Sequence, residues 1–182
     1  MGQTILLAGR PGVGKTTIIK QVVDMLGGEA GGFYTEEVRR KGRRLGFKII
    51  TLEGEEGVLA HVDIKAAPRV SKYGVNVRDL EEVGVAALRR AIEERRYVVI
   101  DEIGKMELYS QEFRRAVVEA LESEKVVLAT VMAGPHPWVD TLKARPQVTV
   151  LTVTRENREG IARRILEMLQ VSPPNRKGFL YR

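Results

Sequence analysis

The sequence predicts an α/β fold of three layers: a mostly parallel central sheet between two sets of helices, with a β-meander inserted after the first helix. Three observations carry this expectation. Short apolar runs alternate with segments of helical periodicity, the pattern of strands joined by right-handed crossovers. The runs at 126–132 and 148–153 are apolar almost throughout, as strands covered on both faces should be. The first run leads through a glycine-rich loop straight into a helix, a strand–loop–helix unit.

Taken in order, Ile5-Leu6-Leu7-Ala8 is the first strand. Ile18, Ile19, Val22, Val23 and Leu26 form one apolar stripe of the first helix, and Gly27-Gly28 stops it. Residues 32–38 and 46–52 read as extended, separated by a basic turn at 39–44 that contains Gly42. A second turn at 53–57 precedes Val58-Leu59-Ala60, completing the meander. Asp79, with Glu82 three residues on, reads as the cap of a helix that buries Leu80, Val83, Ala87, Leu88, Ala91 and Ile92. Tyr97-Val98-Val99-Ile100 is a strand ending in Asp101-Glu102. Ser110 caps the next helix, with Phe113, Val117, Ala120 and Leu121 inward. Pro135, Pro137 and Pro146 bracket a loop and one short helix between the last two strands. Thr154 caps the final helix, which buries Ile161, Ala162, Ile165, Leu166 and Leu169. No repeat or boundary interrupts residues 1–170, which read as a single domain. Residues 171–182 read as a basic tail containing proline.

Composition narrows the class. Apolar residues make up 43% and charged residues 30%, as in ordinary globular proteins. There is no cysteine, which excludes disulfides, thiolate chemistry and Cys-based metal sites. No apolar run approaches the ~20 residues of a membrane span, and no signal peptide precedes the first strand, so a cytoplasmic location is expected. The net charge of +6 comes from 30 basic residues interleaved with 24 acidic ones, the pattern of a solvated, ion-paired surface. A monomer that contacts no membrane is expected.

Gly9-Arg10-Pro11-Gly12-Val13-Gly14-Lys15-Thr16 fits G-x-x-x-x-G-K-[ST] at every fixed position and lies between a strand and a helix, as its mechanism requires. Glycines let backbone N–H groups turn inward around phosphates, and the helix that follows adds its N-terminal partial positive charge. Lys15 is expected to reach the β- and γ-phosphates of a nucleoside triphosphate. The Thr16 hydroxyl is expected to bind Mg2+, and Thr17 closes the nucleotide-binding set. The partner is the apolar strand ending in Asp101-Glu102. Asp101 is expected to hold Mg2+ through its water shell. Glu102, expected on the opposite side of the strand end, could orient an attacking water or take its proton. Such an acid pair favours hydrolysis over transfer to a second substrate.

At this point the chain resembles a known family. Gly32-Phe33-Tyr34-Thr35-Glu36-Glu37-Val38-Arg39 and Asp101-Glu102-Ile103-Gly104-Lys105-Met106-Glu107-Leu108 look like signatures of the THEP-type (cancer-related) nucleoside-triphosphatases. Tyr73-Gly74-Val75-Asn76-Val77 and Asn157-Arg158 fall where that family carries similar residues, and the resemblance runs from about residue 4 to residue 170. It implies a RecA-like or related P-loop fold, Mg2+-dependent hydrolysis of several nucleoside triphosphates with broad base tolerance, and slow turnover.

Several residues keep two readings. Glu36 or Glu37 could bring a further carboxylate towards the metal, or either could be a surface acid opposite Arg39 or Arg44. Lys105 could neutralise charge on the γ-phosphate, or pair with Glu107 at the surface. Arg10 could reach phosphate or stand exposed. Asn157 and Arg158 could contact the base, or serve only the helix start. His61 and His136 lack metal-ligand spacing and read as structural. At the level of function, a small-molecule kinase on the same loop is the alternative, with the meander and Tyr73 as its acceptor pocket. A nucleotide-switched module that binds nucleic acid through the basic turn is another. That turn holds no aromatic residue to stack bases, so nucleic acid is not expected to be required.

Overall fold

The computed structural model describes residues 1–171; the 172–182 part of the expected tail lies outside the described residues. Among the described residues one nine-stranded sheet is formed, ordered β5-β6-β4-β3-β2-β7-β8-β1-β9. Strands β1 (Thr4–Ala8), β2 (Ala30–Arg40), β7 (Tyr97–Ile103), β8 (Val126–Val131) and β9 (Val148–Thr152) pair in parallel. The expected meander is there: β3 (Arg43–Thr51), β4 (Glu56–His61), β5 (Arg69–Val70) and β6 (Tyr73–Val75) pair antiparallel. It extends the same sheet, because β2 pairs with β3 on one side and with β7 on the other.

Strand alternation divides the interior into two cores. Ile5, Leu7, Val99 and Leu128 face helices α1 (Lys15–Leu26) and α6 (Arg158–Met168), packing against Ile19, Val22, Ile161 and Ile165. Leu6, Val98, Ile100, Val127 and Ala129 face the other way, towards α3 (Ala86–Glu94) and α4 (Gln111–Glu122), meeting Leu88, Phe113 and Val117. This is the three-layer arrangement the near-continuous apolar strands imply.

Most element boundaries follow local chemistry. The Ser110 hydroxyl accepts from the Phe113 N–H at 2.9 Å, capping α4 as expected. The N-cap of α6 is Asn157 and not the expected Thr154, which is joined to it in the turn before the helix: the Thr154 hydroxyl accepts from Asn157 N–H (3.3 Å) and Asn157 Oδ1 accepts from Thr154 N–H (2.8 Å). The short helix expected among the prolines is α5 (Pro137–Lys143). In the basic turn, Lys41 (φ 49°) and Gly42 (φ 75°) both take positive φ, as a two-residue hairpin turn requires.

The second helical segment departs from expectation. Asp79 is not its cap. Asn76 is: its side chain accepts from the Asp79 N–H at 3.1 Å and starts α2 (Val77–Asp79). The chain continues through π-helical turns at Leu80–Val85 into α3. The Asp79 carboxylate is used elsewhere, accepting from the Val58 N–H at the edge of β4.

Gly32 shows how tightly β2 lies on β7. A Cβ on Gly32 would sit 2.1 Å from the Val99 carbonyl oxygen, and its φ is +115°. Gly32→Ala is therefore expected to cost about 3 kcal/mol or more, from steric overlap and backbone strain together. For a domain of this size that lowers Tm by roughly 6–12 °C. Thermal unfolding followed by circular dichroism checks it, and an unchanged Tm would contradict the close approach.

Candidate active site

The residues expected to bind phosphate are gathered by β1 and α1. Gly12 (φ 75°) and Gly14 (φ 110°) take conformations that residues with a Cβ rarely adopt, and Gly14 starts α1. The loop from Gly9 to Val13 lines a cavity of about 810 Å3 together with Ala133 and the segment from Thr152 to Glu156. Lys15 is buried, and its Nζ donates to the Gly9 carbonyl at 2.8 Å while lying 3.6 Å from Glu102 Oε2. Thus the loop's cation is held by the first residue of its own loop.

Asp101 lies towards the carboxyl end of β7 and is 1% exposed. The Thr16 hydroxyl donates to its Oδ2 at 2.6 Å and the Thr130 hydroxyl to its Oδ1 at 2.5 Å. Burial pushes the Asp101 pKa up, against the lowering effect of these two hydroxyls, of Lys15 and of the Thr35 backbone. A hydroxyl and a buried carboxylate in contact form a hard-oxygen pair of the kind Mg2+ accepts. The donor set fits the ion. Among the described residues no cluster of three or more His, Cys, Asp or Glu side chains forms a separate metal cage.

Glu102 differs from its expected orientation. It does not turn to the far side of the strand: Asp101 and Glu102 both face the loop, one at Thr16 and the other at Lys15. The β7–β8 register is irregular between Ile100 and Ile103, so simple alternation does not hold there. A third of the Glu102 side chain is open to solvent. Burial raises its pKa, Lys15 opposes that, and Asp101 adds to it.

A third carboxyl lies close by. A Cβ on Gly104 would fall 2.9 Å from Glu107 Oε2 and 3.0 Å from Glu102 Oε1, so the two acids flank this glycine. Glu107 is 4% exposed, and burial followed by the charges of Glu102 and Asp101 raises its pKa to about 8. Of the two readings kept for Lys105, the surface pairing with Glu107 is not made, since Glu107 is buried. Lys105 is exposed and lines a different cavity from the loop's.

The other candidates separate as follows. Glu36 and Glu37 are both taken up in ion pairs away from Thr16 and Asp101. Glu36 pairs with Lys20 at 2.5 Å, and Glu37 pairs with Arg39 at 2.6 Å and Arg44 at 3.2 Å. Arg10 is exposed on the loop. Asn157 is engaged at the helix start, its Nδ2 donating to the Thr152 carbonyl at 2.9 Å. Arg158 lies beside the loop: its Cδ would be 3.7 Å from a Cβ on Gly14, and it shares a cavity with Gly14 and Thr17. Thr130 escapes a reading of the sequence, hidden as one polar residue in an apolar run. So do Ala133, Arg155 and Glu156, which line the nucleotide-sized cavity through a fold contact that carries no local motif.

The family model described as NTPase matches residues 4–166. Nucleoside-triphosphatase THEP1 of Thermotoga sp. (strain RQ2) is 51% identical over 166 residues, which cover 91% of this chain and 95% of that protein. The crystal structure of THEP1 from the hyperthermophile Aquifex aeolicus superposes with a TM-score of 0.84 at 40% identity, covering 92% of this chain and 99% of that one. The solution structure of a human cancer-related nucleoside triphosphatase gives a TM-score of 0.80 at 38% identity, covering 94% and 99%. Among the described residues no helix is long and apolar enough to cross a membrane. With the family model spanning most of the chain, and the loop, lysine and paired acids assembled in one place, the chain belongs to the THEP1 family of nucleoside-triphosphatases.

Proposed function

We propose that this chain hydrolyses nucleoside 5′-triphosphates to the diphosphate and phosphate in a Mg2+-dependent reaction, with broad base tolerance and slow turnover. The observation that carries the reading is the pairing of Lys15 with Glu102, next in the chain to the Asp101 that Thr16 contacts. A triphosphate entering the cradle takes Lys15 away from the Gly9 carbonyl and from Glu102, and gives it the β- and γ-phosphates instead. Glu102 is then left facing the γ-phosphate with no cation on it. From there it orients a water for in-line attack and takes up the proton as the water's oxygen bonds to phosphorus. The bond to the diphosphate's bridging oxygen breaks, and that oxygen's negative charge is met by the loop N–H groups and Lys15. Thr16 and Asp101 would hold Mg2+, which neutralises phosphate charge when bound.

Base tolerance is supported by the walls of the cavity beyond the phosphates. Arg155 and Glu156 there are exposed, and among the described residues no buried polar side chain lines it to read a base edge. Slow turnover is supported by Arg10, Arg155 and Arg158, which stand exposed around the loop rather than fixed on it. Every group invoked comes from one chain, so the reading needs neither a second copy nor nucleic acid.

The test is phosphate release from ATP, GTP, CTP and UTP without any acceptor, with Mg2+ and with EDTA. Release from all four is expected, within about tenfold of one another, since differences in exposed base contacts are worth roughly 1 kcal/mol. EDTA is expected to lower it about 100-fold or more. Binding without release, or release only when a hydroxyl acceptor is added, would sink the hydrolase reading in favour of a kinase.

A further inference from the structure

The segment that carries Glu102 and Glu107 leads out of the reaction centre into a second cavity of about 430 Å3. Its walls include Arg69, Lys105, Leu108, Tyr109, Arg114 and His136, and it shares no lining residue with the cavity over the loop. Among the described residues three permanent cations line it, and no carboxylate does.

Many other surface cations stand beside acids: Arg89 with Glu112, Arg90 with Glu55, Arg145 with Glu122, Arg39 and Arg44 with Glu37. In the cavity the guanidiniums are held in place by groups that leave their charge uncancelled. Arg69 donates from Nη1 to the Ile64 carbonyl and from Nη2 to the Lys72 carbonyl, both at 2.7 Å. Arg114 donates from Nε to the Leu108 carbonyl at 2.8 Å, and its guanidinium carbon lies 5.7 Å from the centre of the Trp138 ring. Lys105 is exposed and makes no hydrogen bond or ion pair among the described residues. His136 adds a buried Nδ1 with no hydrogen-bond partner among those residues. Tyr109 is 50% exposed, a flat apolar surface anchored by its hydroxyl, which donates to the Arg69 carbonyl at 3.3 Å.

Fixed guanidiniums beside a movable ammonium suit an anion of more than one charge with several acceptor oxygens. An exposed aromatic ring beside them suits a planar group carried by that anion. We propose that this cavity is a second binding site, separate from the loop, for the phosphate monoester of a small molecule. Lys105 and the two arginines take the phosphate, and Tyr109 takes a ring attached to it. On this assignment Lys105 serves the second ligand rather than the γ-phosphate. Binding there is independent of whether the chain hydrolyses triphosphates.

The chain has a single tryptophan, Trp138, and it packs on Arg114, so its fluorescence reports on the cavity directly. The full chain is titrated with inorganic phosphate and with AMP, comparing wild type, Lys15→Ala, Lys105→Glu and Tyr109→Ala. A saturable change is expected in wild type and in Lys15→Ala, weakened about tenfold or more in Lys105→Glu, since one charge-assisted contact is worth roughly 1.5 kcal/mol or more. Tyr109→Ala is expected to weaken AMP more than phosphate. Absence of a saturable change in wild type overturns the proposal. So does a change lost in Lys15→Ala but kept in Lys105→Glu, because the anion is then in the loop. A single-stranded RNA oligomer bound about 100-fold more tightly than AMP, with a steep salt dependence and loss in Lys105→Glu, overturns the small-molecule assignment in favour of a polymer.

Discussion

Glu102→Gln is expected to lower hydrolysis about 100- to 10,000-fold while nucleotide affinity stays the same or rises. The rate factor is the usual worth of a positioned general base. The amide keeps the size of the side chain and can still hold a water, but it cannot take the proton the water must lose. The affinity expectation follows from Lys15. In the free chain its Nζ is shared between the Gly9 carbonyl and Glu102, and nucleotide must displace both. Removing the carboxylate frees the lysine and also removes a negative charge facing the γ-phosphate. Loss confined to kcat, with KM equal or lower, is the signature of an interaction made in the transition state. Asp101→Asn provides the contrast. It alters the group bonded to Thr16, so it is expected to weaken Mg2+-nucleotide binding as well as rate. Single-turnover phosphate release and equilibrium binding of a labelled nucleotide separate the two variants. Full activity in Glu102→Gln would remove Glu102 from the chemistry.

The parts of this site that can be read in the sequence are those built from consecutive residues. The loop needs glycines where φ is positive, a lysine at the helix start and a hydroxyl after it, and all of these lie within eight residues. Asp101 is legible because an apolar strand ending in an acid is its own signal once the loop is known. Glu102 is legible as a residue but not in its direction, since alternation along a strand presumes regular pairing and the pairing of β7 breaks there. Asp79 and Glu82 imitate a capping box, and only the fold shows the Asp79 carboxylate committed to Val58, 21 residues away. Thr130 needs the same knowledge, because its hydroxyl is satisfied by Asp101, 29 residues away, and looks out of place in an apolar run until that contact is seen. Lys105 and Glu107 are two residues apart, and nothing local says that one is exposed and the other buried. Periodicity specifies layers well. It specifies poorly which polar residues turn inward, because that depends on partners brought by other strands.

Glu107 gives the second large effect, and it appears in stability as a function of pH. Its carboxyl has a pKa of about 8 in the folded chain, against 4.5 when free, chiefly through burial and then through Glu102 and Asp101. Below about pH 4.5 the group is protonated in both folded and unfolded chains, and its contribution to stability is fully present. Between 4.5 and 8 the unfolded chain releases the proton while the folded chain keeps it, so stability falls as pH rises. Above about 8 both states are ionised and the loss is complete, on the order of 5 kcal/mol at about 1.36 kcal/mol for each factor of ten in proton affinity. Glu107→Gln replaces the neutral acid by a neutral amide of the same shape and cannot ionise. Wild type and variant are therefore expected to be similar at pH 5, with the variant the more stable by several kcal/mol at pH 9. Denaturant midpoints at pH 5, 7 and 9 measure this difference, and other titrating groups cancel because both proteins carry them. Parallel profiles would mean that Glu107 is ionised in the fold at neutral pH. The uncharged form also has a consequence for the site. A proton on Glu107 keeps a third negative charge away from Asp101 and Glu102, and a cation held at Asp101 as proposed would favour its release. Wild-type affinity for Mg2+-nucleotide is then expected to rise with pH through the neutral range, and to rise less in Glu107→Gln.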